Sequence, residues 1–317
     1  MNEHPFAGGL IIEWFNWRWL FLSHVPLLLL ATILAYRYIP KGSQQRKEQS
    51  FDQLGAALLM FLIAASMFII SNAQAWNWLS LKPLLLAGAV MLGFCALLFV
   101  EKRHPNPFVP VQALRIRAVS SGLIISCAGF IMTQTVLVLM PFYLTDVKFL
   151  SPSTAGVALS AYPILLAVSS PLAGFLSDRH GSRRLMLLGL SCIGLGLAIL
   201  AFSSGPLPMI GVILVLALIG MGMGLMTTPN NRFIMAHTSA EQAGTIGGFI
   251  ALSRNIGMVS GAAIGLGMLH QQGVMSEGAL FAALQTGFII NLLICLGSVG
   301  ILGYSGILRV QQRVHPR

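Results

Sequence analysis

Nine apolar stretches of roughly 20 residues divide this chain, near residues 19–36, 54–76, 83–100, 118–143, 154–176, 185–204, 207–229, 243–268 and 279–307. Only the stretch 243–268 contains a charged side chain, Arg254. A helix rises 1.5 Å per residue, so about 20 residues cover the ~30 Å of a bilayer's hydrocarbon. The pattern predicts an all-α polytopic membrane protein with about nine transmembrane helices.

Composition agrees with this and removes other classes. Charged residues make up 9% of the 317, hydrophobic residues 56%, and mean hydropathy is +0.81, whereas a soluble domain carries about a quarter of its residues charged. The net charge of +10 belongs to loops that stay in the cytoplasm. No basic helix or aromatic-rich soluble module is there to engage nucleic acid, so none is expected as a partner. Cys95, Cys127, Cys192 and Cys295 each fall within an apolar run, with no CxxC pair, and read as small buried hydrophobes. The seven histidines show no HExxH or i, i+4 pairing, so no metal site is predicted. No GxSxG or other nucleophile motif occurs with its partners. All nine acidic residues lie at the ends of runs or between them, which removes the buried acid–base pair that most hydrolases need. The expectation is a protein that is not an enzyme and holds no cofactor.

Basic residues set the orientation, because Lys and Arg resist translocation. One set of connections receives Arg37, Lys41, Arg46 and Lys47; Lys102, Arg103, Arg115 and Arg117; Arg179, Arg183 and Arg184; Arg232; and Arg309, Arg313 and Arg317. The opposite set receives only Arg18, Lys82 and Lys148, and with Arg254 these account for all 19. This strict alternation supports nine spans, the start of the chain outside and the C-terminus in the cytoplasm. Residues 37–53, rich in Lys, Arg, Gln and Ser, and 101–117, with Pro105, Pro107 and Pro110, read as cytoplasmic linkers.

Two places concentrate polar chemistry. Asp178, Arg179, Arg183 and Arg184 crowd the connection after 154–176, beside Gly174 and Gly181. Arg254 stands inside its run at a cost near 2.5–3.5 kcal/mol on insertion scales, so it is expected to face a polar cavity, carbonyls or a carboxylate rather than lipid. Its neighbour Asn255, and Gln134 between Thr133 and Thr135, are further candidates for cavity lining, with helix–helix hydrogen bonding the plainer role. Gly220, Gly222 and Gly224 lack the strand and the Lys-Ser/Thr of a phosphate loop and read as packing positions. Pro163, Pro171 and Pro229 mark expected bends.

The segment Gly174-x-Leu176-Ser177-Asp178-Arg179-x-Gly181-x-Arg183-Arg184 is similar to the cytoplasmic loop signature of the major facilitator superfamily. Pro5-x-x-Gly8-Gly9, followed by Trp17-Arg18-Trp19-Leu20-Phe21 and Pro26, resembles the end of the fifth helix and the start of the sixth in that family's fourteen-span drug/proton antiporter branch. His4 stands where the antiporter motif usually has Gly. Phe51-Asp52-x-x-Gly55 resembles the entry to the branch's two extra helices. Asn106-Pro107, Leu114-Arg115, Tyr143-Leu144, Ser151-Pro152, Ala155-Gly156 and Ser253-Arg254-Asn255-x-Gly257 continue the likeness toward the C-terminus.

The resemblance implies a major facilitator fold whose first four helices and most of the fifth lie outside this chain. Residues 1–37 would be the end of the N-terminal half, 38–112 linkers and a two-helix insert, and 113–317 the C-terminal six-helix half. It implies proton-coupled efflux of drugs or other small molecules by alternating access, as a multi-pass protein of the inner or plasma membrane driven by the proton gradient. Gly174, Asp178, Arg179, Gly181, Arg183 and Arg184 would form a conformational latch. Pro5, Gly8 and Gly9 would be a remnant of the antiporter motif, and Arg254, Asn255 and Gln134 would serve cavity or coupling. The implied partners are the lipid bilayer, a small-molecule cargo and the missing N-terminal half. A truncated, non-transporting membrane protein, or a half-transporter needing a partner, stays open as the alternative.

Overall fold

In hydrocarbon a backbone amide has no water to bond, so an apolar run satisfies its own peptide groups by winding as a helix. The computed structural model describes residues 22, 24–38, 53–72, 81–101, 111–203, 205–270 and 277–314. Among the described residues there is no strand. Helices α1 (His24–Tyr38), α2 (Gln53–Asn72) and α3 (Leu81–Glu101) take up the first three apolar runs. A short turn, α4 (Val111–Leu114), leads into α5 (Arg117–Phe142), α6 (Pro152–Leu159), α7 (Ala161–His180), α8 (Ser182–Phe202), α9 (Met209–Met235), α10 (Ala243–His270) and α11 (Glu277–Val314). Six continuous segments, Arg117–Val147, Pro152–His180, Ser182–Phe202, Met209–Met235, Ala240–Leu269 and Leu280–Gly303, are long and apolar enough to cross a membrane. The predicted helical runs are thus recovered, α1 to α3 with 15, 20 and 21 residues.

The irregularities have local causes. Pro141, inside α5, withholds a hydrogen bond from the Leu137 carbonyl, and past the end of α5 Tyr143–Val147 wind as a π-helix closed by the Lys148 amide on the Tyr143 carbonyl at 3.1 Å. Ser151 then caps α6 by accepting from the Thr154 amide at 3.3 Å, with Pro152 in the first turn where no donor is needed. Helices α6 and α7 meet at Ser160, which keeps helical dihedrals (φ −63°, ψ −21°). Pro163, lacking an N–H for the carbonyl of Leu159, accounts for the break in an otherwise single span. Gly181 turns the chain from α7 into α8 at φ +83°, ψ 141°, a left-handed backbone that residues with a Cβ rarely adopt.

Lipid is as apolar as Leu, so burial alone draws membrane helices together weakly, and close approach through small residues matters instead. Three seams use it. On α10, Gly257, Gly261 and Gly265 recur every fourth residue and face α5, where a Cβ on Gly261 would stand 2.5 Å from the Ile131 carbonyl oxygen and one on Gly265 2.9 Å from Val138. On α9, Gly220 and Gly224 face Tyr162 and Ser169 of α7, while Gly222 faces α8. There the contact is reciprocal: a Cβ on Gly189 would lie 2.6 Å from the Gly222 oxygen, and one on Gly222 2.7 Å from the Gly189 oxygen. Across these seams Met132, Val136 and Leu139 of α5, Met186, Leu190 and Ile193 of α8, Leu216, Ile219 and Met223 of α9 and Phe288 of α11 form one continuous core. Ile164, Val168, Leu172 and Phe175 repeat along the outer face of α7 and are exposed, as a lipid-facing stripe is. Helices α2 and α3 pack on each other through Leu59, Leu62 and Leu97 and reach α10 at Phe249.

At the end remote from Gly181, the connection from α8 to α9 is held from two sides. The Leu207 amide donates to the Tyr143 hydroxyl at 2.7 Å, and Lys148 Nζ donates to the Leu207 carbonyl. Gln285 of α11 adds a hydrogen bond to the Ser203 carbonyl at 2.8 Å.

The reciprocal contact makes Gly189→Ala a test of the α8–α9 seam. The added methyl meets backbone rather than a yielding side chain, so a loss of about 1–3 kcal/mol is expected. Gly297→Ala on α11, with nothing within 4 Å of its new methyl, should change stability by less than about 0.5 kcal/mol. Thermal melting of helical circular dichroism in detergent distinguishes the two, and equal melts would show that the seam is looser than described.

Candidate functional site

Both polar places singled out in the sequence lie on seams of the bundle. The first is the basic connection between α7 and α8. Gly181 reverses the chain, and the Ser177 and Ser182 hydroxyls close the turn at 2.9 Å. The carboxylate of Asp178, in the last turn of α7, forms an ion pair with Arg232 in the last turn of α9. The side chains remain 52% and 61% exposed, so this is a solvent-screened contact. Arg183, in the first turn of α8, reaches the other way: its Nη2 donates to the carbonyl oxygens of Leu302 and Gly303 in α11, each at 2.9 Å. Arg179 lies over the Phe175 ring, with its guanidinium carbon 4.6 Å from the centroid. Arg184 is exposed and makes no ion pair among the described residues.

The connection therefore ties two further helices to its own ends: α9 through Asp178 and α11 through Arg183. Gly174 faces Thr228, which a Cβ there would meet at an ordinary 3.6 Å. The partner that sequence reasoning did not single out is Arg232. The sequence showed it as one basic residue on the same side as Asp178; what placed it was the packing of α9 on α7 through Gly220 and Gly224.

The second place is the seam between α5 and α10. Arg254 extends over the Phe130 ring at 5.0 Å, and the next turn of α5 presents Gln134, whose Cβ lies 3.0 Å from where a Cβ on Gly261 would be. Thr135 Oγ1 crosses the seam to the Gly261 carbonyl at 3.0 Å. Arg254 and Asn255 are exposed and Gln134 half-buried. Arg254 and Gln134 thus share one seam, with Asn255 beside it. The aromatic face supplies Arg254 with a favourable contact, and among the described residues no carboxylate pairs with it. A third cluster lies between α5 and α9, where Asn230 Nδ2 donates to the Gly122 carbonyl at 2.9 Å. Pro5, Gly8 and Gly9 lie outside the described residues. No group of three or more metal-binding side chains occurs among the described residues.

A family model described as Major Facilitator Superfamily matches residues 4–262 and, a second time, residues 122–309. The chain is 29% identical over 259 residues to Riboflavin transporter RibZ of Clostridioides difficile, covering 82% of this chain and 56% of that protein. It is 31% identical over 271 residues to Uncharacterized transporter YebQ of Escherichia coli, covering 85% and 59%. With Multidrug resistance protein Stp of Mycobacterium tuberculosis it shares 28% identity over 263 residues, covering 82% and 48%. The chain thus spans about half to three-fifths of the length of these curated relatives.

The exposure of the Asp178–Arg232 pair leads to a quantitative expectation. A double-mutant cycle built from Asp178→Asn and Arg232→Gln should give a coupling energy of about 0.2–1 kcal/mol in thermal stability, and the coupling should shrink as salt is raised. A coupling of several kcal/mol would mean that the pair is desolvated and acts as a structural anchor.

Proposed function

The chain belongs to the major facilitator superfamily, and from that premise we propose that it serves proton-coupled efflux of drugs or other small organic molecules, in the fourteen-span antiporter branch. The observation that carries the reading is the basic connection: it links α7 to α9 by an exposed ion pair and α8 to α11 by an arginine on two backbone carbonyls. Alternating access moves helical units against one another about a central site. A contact that must break and re-form each cycle is best made weak, and a screened pair of about 0–1 kcal/mol meets that need.

In this reading Asp178 and Arg232 are the releasing element, Arg183 holds α8 to α11 throughout, and Gly181 supplies the turn. Arg254, Asn255 and Gln134 line the path of the cargo or its coupled proton. The relatives named for riboflavin transport and multidrug resistance support a small organic cargo. We assign the basic end of the bundle and the C-terminus to the cytoplasm of a cell-membrane protein, on the strength of the charge alternation. Residues 1–37 would close an N-terminal half, 38–112 form a two-helix insert and 113–317 a C-terminal half. Further helices facing α5 and α10 are the partner that would complete the pathway.

The test is efflux of a fluorescent cation such as ethidium from cells expressing the chain, with and without a protonophore. Asp178→Arg should lower efflux at least tenfold, and adding Arg232→Asp should restore much of it, because the exchanged pair can form again. Efflux unchanged by Asp178→Arg would remove the latch role. Efflux indifferent to the protonophore would remove proton coupling.

A further inference from the structure

The basic end also forms a half-open cleft. A cavity of about 820 Å³ opens between the ends of α7, α8 and α9. Arg179, Arg183, Arg184, Arg232, His180 and His237 line it, together with Gly181, Ser182 and apolar side chains, and no carboxylate is among its lining residues. Asp178 offsets only Arg232, leaving three guanidinium groups without a counter-charge among the described residues. Arg183 spends its Nη2 on the α11 carbonyls, yet its Nε is buried without a hydrogen-bond partner. Arg183 is thus held mainly by α11, and Arg179 and Arg184 are the guanidinium groups left to meet an anion in the cavity. The first turn of α8, Ser182 onward, has no side-chain cap, and its free amides and positive dipole end favour an anion in the same space.

Positive-inside bias explains why arginines lie on this side of the membrane. It does not explain why four of them surround one acid-free cavity. Guanidinium groups match the geometry of phosphate oxygens by paired N–H donors, and the volume falls within the range of pockets that hold small organic ligands. We propose that this cavity binds a phosphate group, carried either by the headgroup of an anionic membrane lipid or by a soluble phosphate. The cavity lies at the charged ends of the helices, where lipid headgroups and dissolved anions both have access. The inference stands on the geometry of the basic end and does not require that the chain transport anything.

The experiment uses the full chain in nanodiscs. In the first arm the discs contain phosphatidylcholine with a minor fraction of phosphatidylglycerol, and native mass spectrometry reads which lipid the protein retains. In the second they contain phosphatidylcholine alone, and calorimetry reads binding of inorganic phosphate. Preferential retention of phosphatidylglycerol identifies a headgroup site, and phosphate binding in the second arm a soluble one. In whichever arm binds, the paired change Arg179→Gln with Arg184→Gln should weaken binding about tenfold or more, since two charge-assisted contacts are lost. Arg115→Gln with Arg117→Gln should leave it within twofold, because both are exposed at the same end of the bundle but outside the cavity. Helical circular dichroism checks that each variant is folded. Binding in neither arm, or equal loss from the two pairs of changes, overturns the proposal; the second result would show an unspecific attraction to a basic surface.

Discussion

A peptide group in hydrocarbon has no solvent to bond, and nearly every feature of this protein follows from how that demand is met. It forces the long apolar runs to wind as helices. It also deprives those helices of the usual force for association, since their leucines are as comfortable against lipid as against each other. What then holds the bundle is contact distance. Gly257, Gly261 and Gly265 on α10, and Gly189 against Gly222 between α8 and α9, let backbones approach to separations at which a Cβ could not fit. Dispersion contacts are individually tiny and accumulate only where atoms pack without gaps. The glycines thus act as the means by which Met, Leu and Ile side chains on either side meet across the seam.

This division explains what the sequence could disclose. The runs near 118–143, 154–176 and 185–204 are visible because hydrocarbon excludes charge, so their limits are written as the positions of arginines. The turn at Gly181 is visible for a similar reason: few residues other than glycine accept its dihedrals, and charged residues crowd around it. By contrast, nothing in the order of residues says that Gly220 faces α7 while Gly222 faces α8, although the two are neighbours in the sequence. That depends on which helices surround α9. The same ignorance hid Arg232. Its charge and side were legible, yet its pairing with Asp178 depends on a helix contact set by glycines some eight and twelve residues away. Pro163 announced a bend, and the break at Ser160 lies where its missing N–H leaves the carbonyl of Leu159 without a donor. The π turn at Tyr143–Val147 was not foreseen, because nothing in the order of those residues marks it.

Arg254 illustrates a related point. A cation inside an apolar run demands company, and the sequence left its nature open between carbonyls, a carboxylate and a cavity. The structure supplies an aromatic face, Phe130. A cation over a ring gains roughly 0.5–1 kcal/mol where water reaches it and about 2 kcal/mol where it does not. This is less than the insertion cost of an arginine at mid-membrane, so the ring alone does not balance the charge. The side chain is exposed on the α5–α10 face.

The basic end separates two kinds of contact that the same few residues make. Asp178 and Arg232 are both more than half exposed, so each loses little hydration on pairing and regains it on parting. Their contact is cheap in both directions. Arg183 is different: its guanidinium donates to two carbonyls within α11, and breaking those bonds would leave a partly buried charge unpaired, at a cost well above that of a surface pair. If the bundle changes shape at this end, the physics selects where it gives way. Of the two contacts, the Arg183 bonds to α11 are the costlier to break and the Asp178–Arg232 pair the cheaper. The cavity between them would then change volume with every such movement, so an anion held there would favour whichever arrangement keeps its arginines together.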